Sequence, residues 1–585
     1  MNRPSYRHAR HRGVALLIVL IVVTMLALTA YTFSSLMVAE KEAAVLAGRQ
    51  VQAKMLVDSG VDQIRLYLEM TEDQRISAGG SFNNPSLFQA IPVVDLGAPT
   101  TRGRFGVIAP LMDDTGSFGG SRFGLEDESA RLNLNALSLE EEGEPGAEEE
   151  EAAEDTASED SEAAAGGAPG GAAPGNAGGG GAAAGGDATE EEGVSAADLI
   201  EAASDADTSG RAMLMGLPGM TEDIADAILD WLDEDDTMRE YGAEYDYYAS
   251  LDPPYAPKNG TLETIEELLL VRGVTPDLLF GRDVNRNGMI DIYEMDIPLN
   301  TALETADGSL DRGWSALLTL YSAEKNVDQN GIPRIDLNQE DLKTLYEELV
   351  TVFDKSWATF IIAYRQNGAD TSDQEGQPAS DLELDFSRPA RIPIIQVLDL
   401  IGIKVRARLA DNAGSVLIES PFADEPLAMG AYLPTLMDAV TASGEPLIPG
   451  RVNINQAPRS VLMAIPGMTD EIANQIVNVR DVTGEQVNDR NFSHETWLLS
   501  RAIVTLDEMR LFMPYMTAGG DVYRAQVVGY FDKGNISARA EVVVDATSVY
   551  PRVVFWRDIS HLGRGFAPET LGVDLSDVTQ TQVAR

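Results

Sequence analysis

A long apolar stretch near the start of the chain is the strongest pattern in the sequence. Residues 13–39 contain no charged side chain, and this run exceeds the roughly 20 residues that a membrane-spanning helix needs. Apolar residues then recur at helical spacing towards Met70 without a proline. The pattern predicts one continuous helix over residues 14–70, apolar in its first part and amphipathic in its second.

A short basic leader precedes the apolar stretch. It carries four arginines and no acidic residue and ends at Arg12–Gly13, so the positive-inside rule places it in the cytoplasm and the bulk of the chain outside. The junction is typical of a prepilin-type signal, which is cut before its apolar segment, here between Gly13 and Val14. Two alternatives stay open, an ordinary secretory signal cut near residues 27–30 and an uncleaved anchor.

Strand patterns occur on both sides of a mainly helical region. Short glycine-punctuated strands are predicted between residues 102 and 137, and residues 522–530, 536–544 and 550–557 read as three strands of an antiparallel meander. The residues between these two parts follow a helical pattern. We therefore expect an α+β fold in which a small antiparallel sheet is interrupted by a large, mainly helical inserted domain.

An acidic segment separates the first strands from the inserted domain. Its composition is mainly Glu, Asp, Ala, Gly and Pro, which offers little to bury and favours a flexible linker over a specific acidic binding tail. The predicted divisions are the leader (1–13), the membrane and stalk helix (14–70), the first part of the α+β domain (71–138), the linker (139–200), the inserted domain (201–515) and the last part of the sheet (516–585).

The inserted domain contains an internal repeat. Residues 217–228 recur as residues 465–476, and Thr221 and Thr469 occupy the expected helix N-cap positions. Both copies resemble a helix-hairpin-helix. Such hairpins often bind DNA phosphate through a Gly-x-Gly turn, but here threonine replaces the second glycine and acidic residues follow it. The repeats are therefore interpreted as packing or protein-docking units.

Charge and composition exclude several classes of function. The formal net charge of −51 repels nucleic acid and anionic lipid. The absence of cysteine excludes disulfides, thiol nucleophiles and Cys-ligated zinc, and only His494 and His561 follow the leader. The acidic run 230–236 could supply an acid/base pair, but a solvated face or a cation site is the more usual role of such a run. We expect no enzymatic activity.

Residues 283–294 carry the pattern of an EF-hand calcium loop. Glycine stands at position 6, where the sharp turn requires it, and oxygen donors stand at the ligand positions. The predicted calcium ligands are Asp283, Asn285, Asn287, the carbonyl of Met289, Asp291 and Glu294. An Asx-rich surface turn is the alternative. The segment 328–331 lacks the required spacing and is predicted to be only a turn.

Several blocks, taken together, resemble minor pseudopilin K of type II secretion, the general secretion pathway protein K family. They follow the family's order along nearly the whole chain, at residues 12–20, 127–135, 227–236, 241–248, 264–274, 452–455 and 553–557. The long acidic linker and an enlarged region over about 302–449 depart from the family pattern. A minor pilin of a type IV pilus or competence system would share the leader and the helix, but we would not expect these internal blocks in it.

The resemblance implies a fold, a location and a set of partners. It implies a pilin-like lollipop anchored once in the bacterial inner membrane with its large C-terminal part in the periplasm. It also implies cleavage by prepilin peptidase, methylation of the new amine, contact with the inner-membrane secretion platform, and a place at the pseudopilus tip with the I and J pseudopilins.

Position five of the predicted mature chain supports a tip position. Most pilins have glutamate there, which can neutralise the terminal amine of a neighbouring subunit within an apolar bundle. This chain has Ile18 instead. A subunit docking above it would lack the usual partner for its amine, which suits a tip or initiating position.

Overall fold

The computed structural model describes residues 12–112, 118–137, 206–298, 310–372, 374–380, 382–410, 414–480 and 492–573. The leader as far as residue 11 and the whole predicted linker, 139–200, lie outside the described residues. Helices and strands are numbered below in chain order over the described part of the chain.

The predicted N-terminal helix is confirmed as a single element. Helix α1 spans Arg12–Leu68, which is continuous through the change from apolar to amphipathic sequence. From Ala53 onward, one face of α1 is buried, whereas the residues from Leu16 to Gly48 are exposed. Two short helices follow, α2 (Glu72–Ser77) and α3 (Pro85–Phe88).

A seven-stranded sheet joins the two ends of the chain. Its strands are β1 (Ile91–Val94), β2 (Gly103–Met112), β3 (Phe118–Arg122), β4 (Glu126–Asp127), β16 (Val522–Phe531), β17 (Ser537–Asp545) and β18 (Arg552–Asp558). The main order is β1-β2-β16-β17-β18, all antiparallel, with β3 beside β2 and β4 beside β16. The last three strands lie within two residues of the predicted meander.

Helix α1 covers one face of this sheet. Buried apolar side chains of α1, among them Leu56 and Ile64, pack with Val107, Val527 and Val542. The approach is close because β16 carries Gly529, where a Cβ atom would lie 2.3 Å from the carbonyl oxygen of Ala53. Glycine at this position therefore allows the helix backbone to rest on the strand.

The opposite face of the sheet is covered by different elements. Ile108, Val528 and Tyr530 form a small buried cluster with Phe566 and Leu571, which follow the last strand. The partly buried Met289 packs against the same cluster. Side chains alternate across a strand, so Val527 and Val528 point to the two different layers.

The region between β4 and β16 contains many short elements. Its helices are α4 (Leu134–Leu137), α5 (Ala206–Met215), α6 (Glu222–Leu232), α7 (Tyr245–Tyr248), α8 (Pro276–Phe280), α9 (Ile292–Met295), α10 (Leu342–Val352), α11 (Lys355–Asn367), α12 (Pro426–Ala439), α13 (Arg459–Leu462), α14 (Asp470–Val479), α15 (Trp497–Ser500) and α16 (Leu506–Phe512).

The same region also contains short strands, which the predicted mainly helical pattern did not include. They form five small sheets and are β5 (Leu132–Asn133), β6 (Leu318–Thr319), β7 (Ala323–Lys325), β8 (Ile335–Asp336), β9 (Gln377–Pro378), β10 (Lys404–Arg408), β11 (Ser415–Glu419), β12 (Val440–Thr441), β13 (Leu447–Pro449), β14 (Val452–Asn453) and β15 (Met516–Thr517). Most are two or three residues long, too short for an alternating pattern to register.

The internal repeat forms the two amphipathic helices α6 and α14. Their N-caps differ, although both were expected to use threonine. The Thr469 hydroxyl accepts a hydrogen bond from the N–H of Ile472 at 3.3 Å, whereas the Thr221 hydroxyl donates to Asp223 at 2.6 Å and makes no cap bond. The second copy is therefore capped as predicted and the first is not.

Candidate membrane anchor and cation sites

The exposed part of α1 is a candidate membrane anchor. In the described part of the chain, one helix is long and apolar enough to cross a membrane, and its apolar window is not buried within the protein. Ile18 is 55% exposed and its apolar neighbours are similarly accessible. Gly13 and Val14 lie in the first turn of α1, and the cut between them stays a prediction.

The calcium-loop segment forms a tight turn around its first carboxylate. Asp283 accepts hydrogen bonds from the backbone N–H groups of Asn287 at 3.0 Å and Gly288 at 2.8 Å. Gly288 has a φ of +78°, a conformation that glycine adopts at little cost. The glycine at position 6 of the loop pattern therefore lies at the sharp turn that the pattern predicted.

The two asparagines of the loop converge on one carboxylate. The side-chain nitrogens of Asn285 and Asn287 donate to Asp291 Oδ2 at 2.7 Å and 3.1 Å. The amide oxygen of Asn285 is buried and has no hydrogen-bond partner among the residues that the structure describes. An unsatisfied buried oxygen beside a carboxylate suits a cation ligand, because a buried polar atom without a partner is costly.

Glu294 closes the loop from its last position. It is fully buried, and its two carboxylate oxygens accept N–H groups from Asn285 at 3.1 Å and Asp291 at 2.9 Å. A carboxylate oxygen has more than one lone pair, so these bonds leave capacity for a metal. Hydrogen bonds thus link five of the six predicted ligand residues within one turn, and the N–H of Met289 donates to Asn287 Oδ1 at 2.7 Å. A donor set made of oxygen alone would suit calcium.

The loop concentrates negative charge in a buried place. Burial raises the pKa of Asp283 to about 6, although the charge of Arg312 and the two backbone N–H donors act in the opposite direction. A bound divalent cation would favour the ionised form of this carboxylate, since an opposite charge nearby stabilises it. The arrangement suits a cation, and calcium binding at this turn stays a prediction.

Three groups of the sheet region hold the loop, and sequence analysis did not identify them. Arg539 of β17 donates to the carbonyl of Asn285, and Gln526 of β16 donates to the carbonyl of Arg286 at 2.5 Å. The carbonyl of Gly565 accepts from Asn287 at 2.7 Å. The sequence offered one indication of these contacts: Arg539 stands between two alanines in a mainly apolar strand.

A second group of carboxylates lies within the inserted region. One oxygen from each of Asp230, Asp233 and Glu244 lies within 4.8 Å of the others, and all three residues are buried. Arg239 bonds Asp230 at 3.0 Å and also pairs with Asp233. Both carboxylate oxygens of Glu244 are buried without a hydrogen-bond partner among the described residues.

Burial and mutual repulsion dominate the electrostatics of this group. Burial, followed by the charges of Asp230 and Asp233, raises the pKa of Glu244 to about 7. Burial also raises the pKa of Asp233 to about 6 against the effect of Arg239. Sequence analysis had singled out the acidic run 230–236 but not Glu244, which reaches the group from beyond a loop. Positions 234–236 of that run are exposed.

The segment 328–331 is a turn, as its spacing predicted. Asp328 Oδ1 accepts N–H groups from Asn330 at 2.9 Å and Ile332 at 2.8 Å, and Asn330 and Ile332 are exposed. The carboxylate therefore caps its own turn.

The comparison with protein families matches part of the inserted region. Residues 197–280 match the family model for type II secretion system (T2SS), protein K, and this segment contains all three carboxylates of the group formed by Asp230, Asp233 and Glu244.

Two curated relatives carry the name type II secretion system protein K. The one from Pectobacterium carotovorum subsp. carotovorum is 32% identical over 108 residues, which are 18% of this chain and 33% of the relative. The one from Aeromonas hydrophila is 45% identical over 56 residues, which are 9% of this chain and 17% of the relative. The chain thus spans a third or less of the length of these relatives.

Among solved structures, the chain matches one from the GspK-GspI-GspJ complex of the enterotoxigenic Escherichia coli type 2 secretion system. The match covers 89% of this chain and 98% of that chain, at 10% identity and a TM-score of 0.28.

Proposed function

We propose that this chain, which belongs to the type II secretion system protein K family, is a minor pseudopilin. It would be anchored once in the inner membrane by α1, with its large C-terminal part in the periplasm, and would support protein export across the outer membrane. It would act as an assembly component and not as an enzyme.

The observation that carries this proposal is the division of α1 into two parts. One face of α1 between Ala53 and Leu68 packs on the sheet, whereas the apolar residues between Leu16 and Gly48 are exposed all round the helix. A helix that is apolar all round needs a membrane or other apolar helices around it. A pseudopilin has both environments in turn, because its helix lies in the membrane before assembly and packs against other apolar helices in the fibre.

The proposed position in the fibre is the tip. Ile18 supplies no carboxylate to neutralise the amine of a subunit docking above it, so growth beyond this subunit is disfavoured. The large inserted region adds bulk beside the stalk, which would hinder lateral stacking. Both features suit a subunit present in few copies.

The proposed partners follow from this position. The exposed segment of α1 would pack with the equivalent helices of the I and J pseudopilins, since lipid alone gives an apolar helix little specificity. Prepilin peptidase would cut between Gly13 and Val14, with methylation of the new amine, and the inner-membrane secretion platform would incorporate the mature subunit. The two repeat helices α6 and α14 would act as packing units of the inserted region.

Cation binding is the second part of the proposal. Calcium would bind Asp283, Asn285, Asn287, the Met289 carbonyl, Asp291 and Glu294, where a buried oxygen lacks a partner and every donor is oxygen. The group formed by Asp230, Asp233 and Glu244 is a further oxygen-only cation site, supported by the two unpartnered oxygens of Glu244. Calcium binding would stabilise the fold by mass action.

Site-directed crosslinking tests the assembly proposal. The natural chain has no cysteine, so single cysteines at Val19 and Leu26 would report only their own contacts. We expect heteromeric crosslinks to other minor pseudopilins in cells that carry the secretion system. A cysteine at Thr24, on the opposite side of the helix, is the matched control for a one-sided contact. Long self-crosslinked ladders would instead identify a major shaft subunit.

A further inference from the structure

The predicted calcium loop lies directly on the pilin-like sheet. It follows α8 in the inserted region, yet its contacts run to strands that come more than 230 residues later. The backbone carbonyls of Asn285 and Arg286 accept hydrogen bonds from β17 and β16 respectively. The side chain of Asn287 donates to the segment after β18, at the Gly565 carbonyl. Three consecutive residues of the turn, 285–287, are thus hydrogen-bonded to β17, to β16 and to the segment after β18.

An apolar contact reinforces these hydrogen bonds. Met289 of the loop packs against the small cluster on the face of the sheet that α1 does not cover. At Gly288, an added Cβ atom would lie 3.4 Å from the Cβ of Pro110 in β2. The loop therefore rests on the strands by direct contact, and three of its predicted ligand residues, Asn285, Asn287 and Met289, also contact the sheet layer.

Arg539 is the centre of this contact. Its side chain is 1% exposed although it carries a guanidinium, and burial lowers its pKa to about 10 while the charges of Asp283 and Glu541 act in the opposite direction. The chain passes over it at Gly565, where a Cβ atom would lie 1.6 Å from Arg539 Nη1. A buried arginine is costly unless its donors are used, so the loop carbonyl that it binds is part of its stability.

An ion pair lies beside the loop and joins the same two layers. Glu266, in the 3-10 helix Ile265–Leu270, pairs with Arg557 of β18, with a separation of 2.8 Å between Nη2 and Oε2. The same carboxylate contacts Arg286 of the loop at 3.1 Å. The loop, the inserted region and the edge strand therefore share one network.

From these contacts we propose that residues 283–294 form a calcium-dependent clamp between the inserted region and the sheet, and that Arg539 and Gln526 are its positioning residues. This proposal rests on calcium binding at the loop. Calcium would hold the turn in the shape that presents the Asn285 and Arg286 carbonyls to β17 and β16. Without the cation, the conformation of residues 283–294 would be less restricted, and part of their contact with β16 and β17 would be lost.

Thermodynamic linkage makes the proposal reciprocal. If calcium strengthens the docking of the loop on the sheet by some factor, then weakening the docking must weaken calcium binding by the same factor. A sheet residue that never touches the metal should therefore change the calcium midpoint. A purely structural role for Arg539 or Gln526 would lower stability with and without calcium alike.

Hydrogen exchange of the full chain in detergent, followed by mass spectrometry, gives the direct test. Peptides covering residues 283–294 report on the loop itself, and peptides covering 526–545 and 563–571 report on the sheet side. The hairpin of β10 and β11 serves as the internal reference. With calcium in place of chelator, we expect slower exchange in the loop and in the sheet peptides, with no change in the reference.

A matched pair of variants tests the positioning residues. Gln526→Glu removes the donor to the Arg286 carbonyl, and we expect the calcium midpoint of loop protection to rise about fivefold, the value of one ordinary hydrogen bond. Gln50→Glu is the control, because Gln50 donates to the Ser537 carbonyl at 3.2 Å from α1 on the other face. It should leave the midpoint unchanged. Arg539→Met should raise the midpoint further if that variant folds.

The outcomes separate the clamp from calcium binding. Protection of the loop without protection of the sheet peptides would overturn the clamp and leave calcium binding standing. Equal calcium midpoints for Gln526→Glu and Gln50→Glu would also overturn it. A loop that exchanges identically with calcium and with chelator would refute calcium binding at this site, and the clamp would fall with it.

Discussion

The two faces of the sheet are covered in different ways. On one face, α1 packs through buried apolar side chains and a close approach at Gly529. On the other face, the loop 283–294 is held by hydrogen bonds from Arg539 and Gln526 and by the side chain of Met289. The first cover depends mainly on apolar packing, and the second combines packing with hydrogen bonds and charge.

This difference assigns a different sensitivity to each face. Close apolar packing is insensitive to ions and to moderate changes of pH, but even one added methyl group disturbs it. A turn that concentrates carboxylates responds to cations, because charge repulsion inside it is relieved when a cation binds. The contact of α1 with the sheet should therefore change little when calcium is removed, whereas the loop should lose part of its contact with the sheet.

The largest effect is expected on the α1 face. In Gly529→Ala, the new Cβ atom would lie 2.3 Å from the Ala53 carbonyl oxygen, so the helix must shift from the strand. We expect a loss of about 3 kcal/mol in the free energy of unfolding, the upper end for overpacking, with or without calcium. Denaturant unfolding of the full chain in detergent measures it.

Gly519→Ala is the control for that substitution. A Cβ atom at Gly519 meets no atom within 4 Å, so the same chemical change should leave stability nearly unaltered. A similar loss in both variants would show that the effect arises from chain flexibility and not from contact with α1.

The next effect is expected on the loop face. Calcium at a hundred times its dissociation constant should raise the free energy of unfolding by about 2.7 kcal/mol. Asp283→Ala and Glu294→Gln should each abolish this increase, because each removes a predicted ligand. Thermal unfolding with calcium and with chelator measures the difference.

Asp328→Ala provides the matched control on the loop face. Asp328 also begins an Asx-rich turn, but that turn lacks the ligand spacing. This variant should keep the full calcium-dependent increase. An unchanged wild-type melt with and without calcium would contradict the predicted site.

Sequence patterns predicted the local parts of this comparison well. The apolar run and its amphipathic continuation gave α1, which is confirmed, and the spacing of residues 283–294 indicated the tight turn around Asp283. Both signals lie within one element, where periodicity and turn chemistry act directly.

Contacts between residues that are far apart in the sequence could not be predicted in the same way. Arg539 and Asn285 are separated by 254 residues, and no local pattern links them. Glu244 likewise joins Asp230 and Asp233 only after the chain has turned back on itself. The two-residue strands were not predicted for another reason, since an alternation with a period of two cannot be recognised in so short a segment.

The smallest effect is expected at the edge of the α1 face. Lys54 of α1 pairs with Asp558 of β18 at 2.8 Å, and both side chains are about half exposed. The hydrogen bond from Lys54, then that from Ser560, lowers the pKa of Asp558 to about 2. Because the folded pKa lies below the unfolded value, this contribution is complete above about pH 4 and is lost as the pH falls towards 2.

Comparison of Lys54→Met with the natural chain should show this dependence. The difference in stability should be small at neutral pH, as for other exposed ion pairs, and should vanish near pH 2. Lys41→Met, an exposed lysine earlier in α1, should show no such trend. A difference that grows as the pH falls would contradict the assigned direction.

The mature N-terminus tests the central claim most directly, since the account depends on α1 being kept and used for assembly. Mass spectrometry of the protein from cells with an intact secretion system should find a chain that begins at Val14, with a methylated amine. Gly13 replaced by a bulky residue should leave the leader in place. A mature chain that begins near residue 30 would contradict the pseudopilin assignment, because the apolar half of the helix would then be discarded.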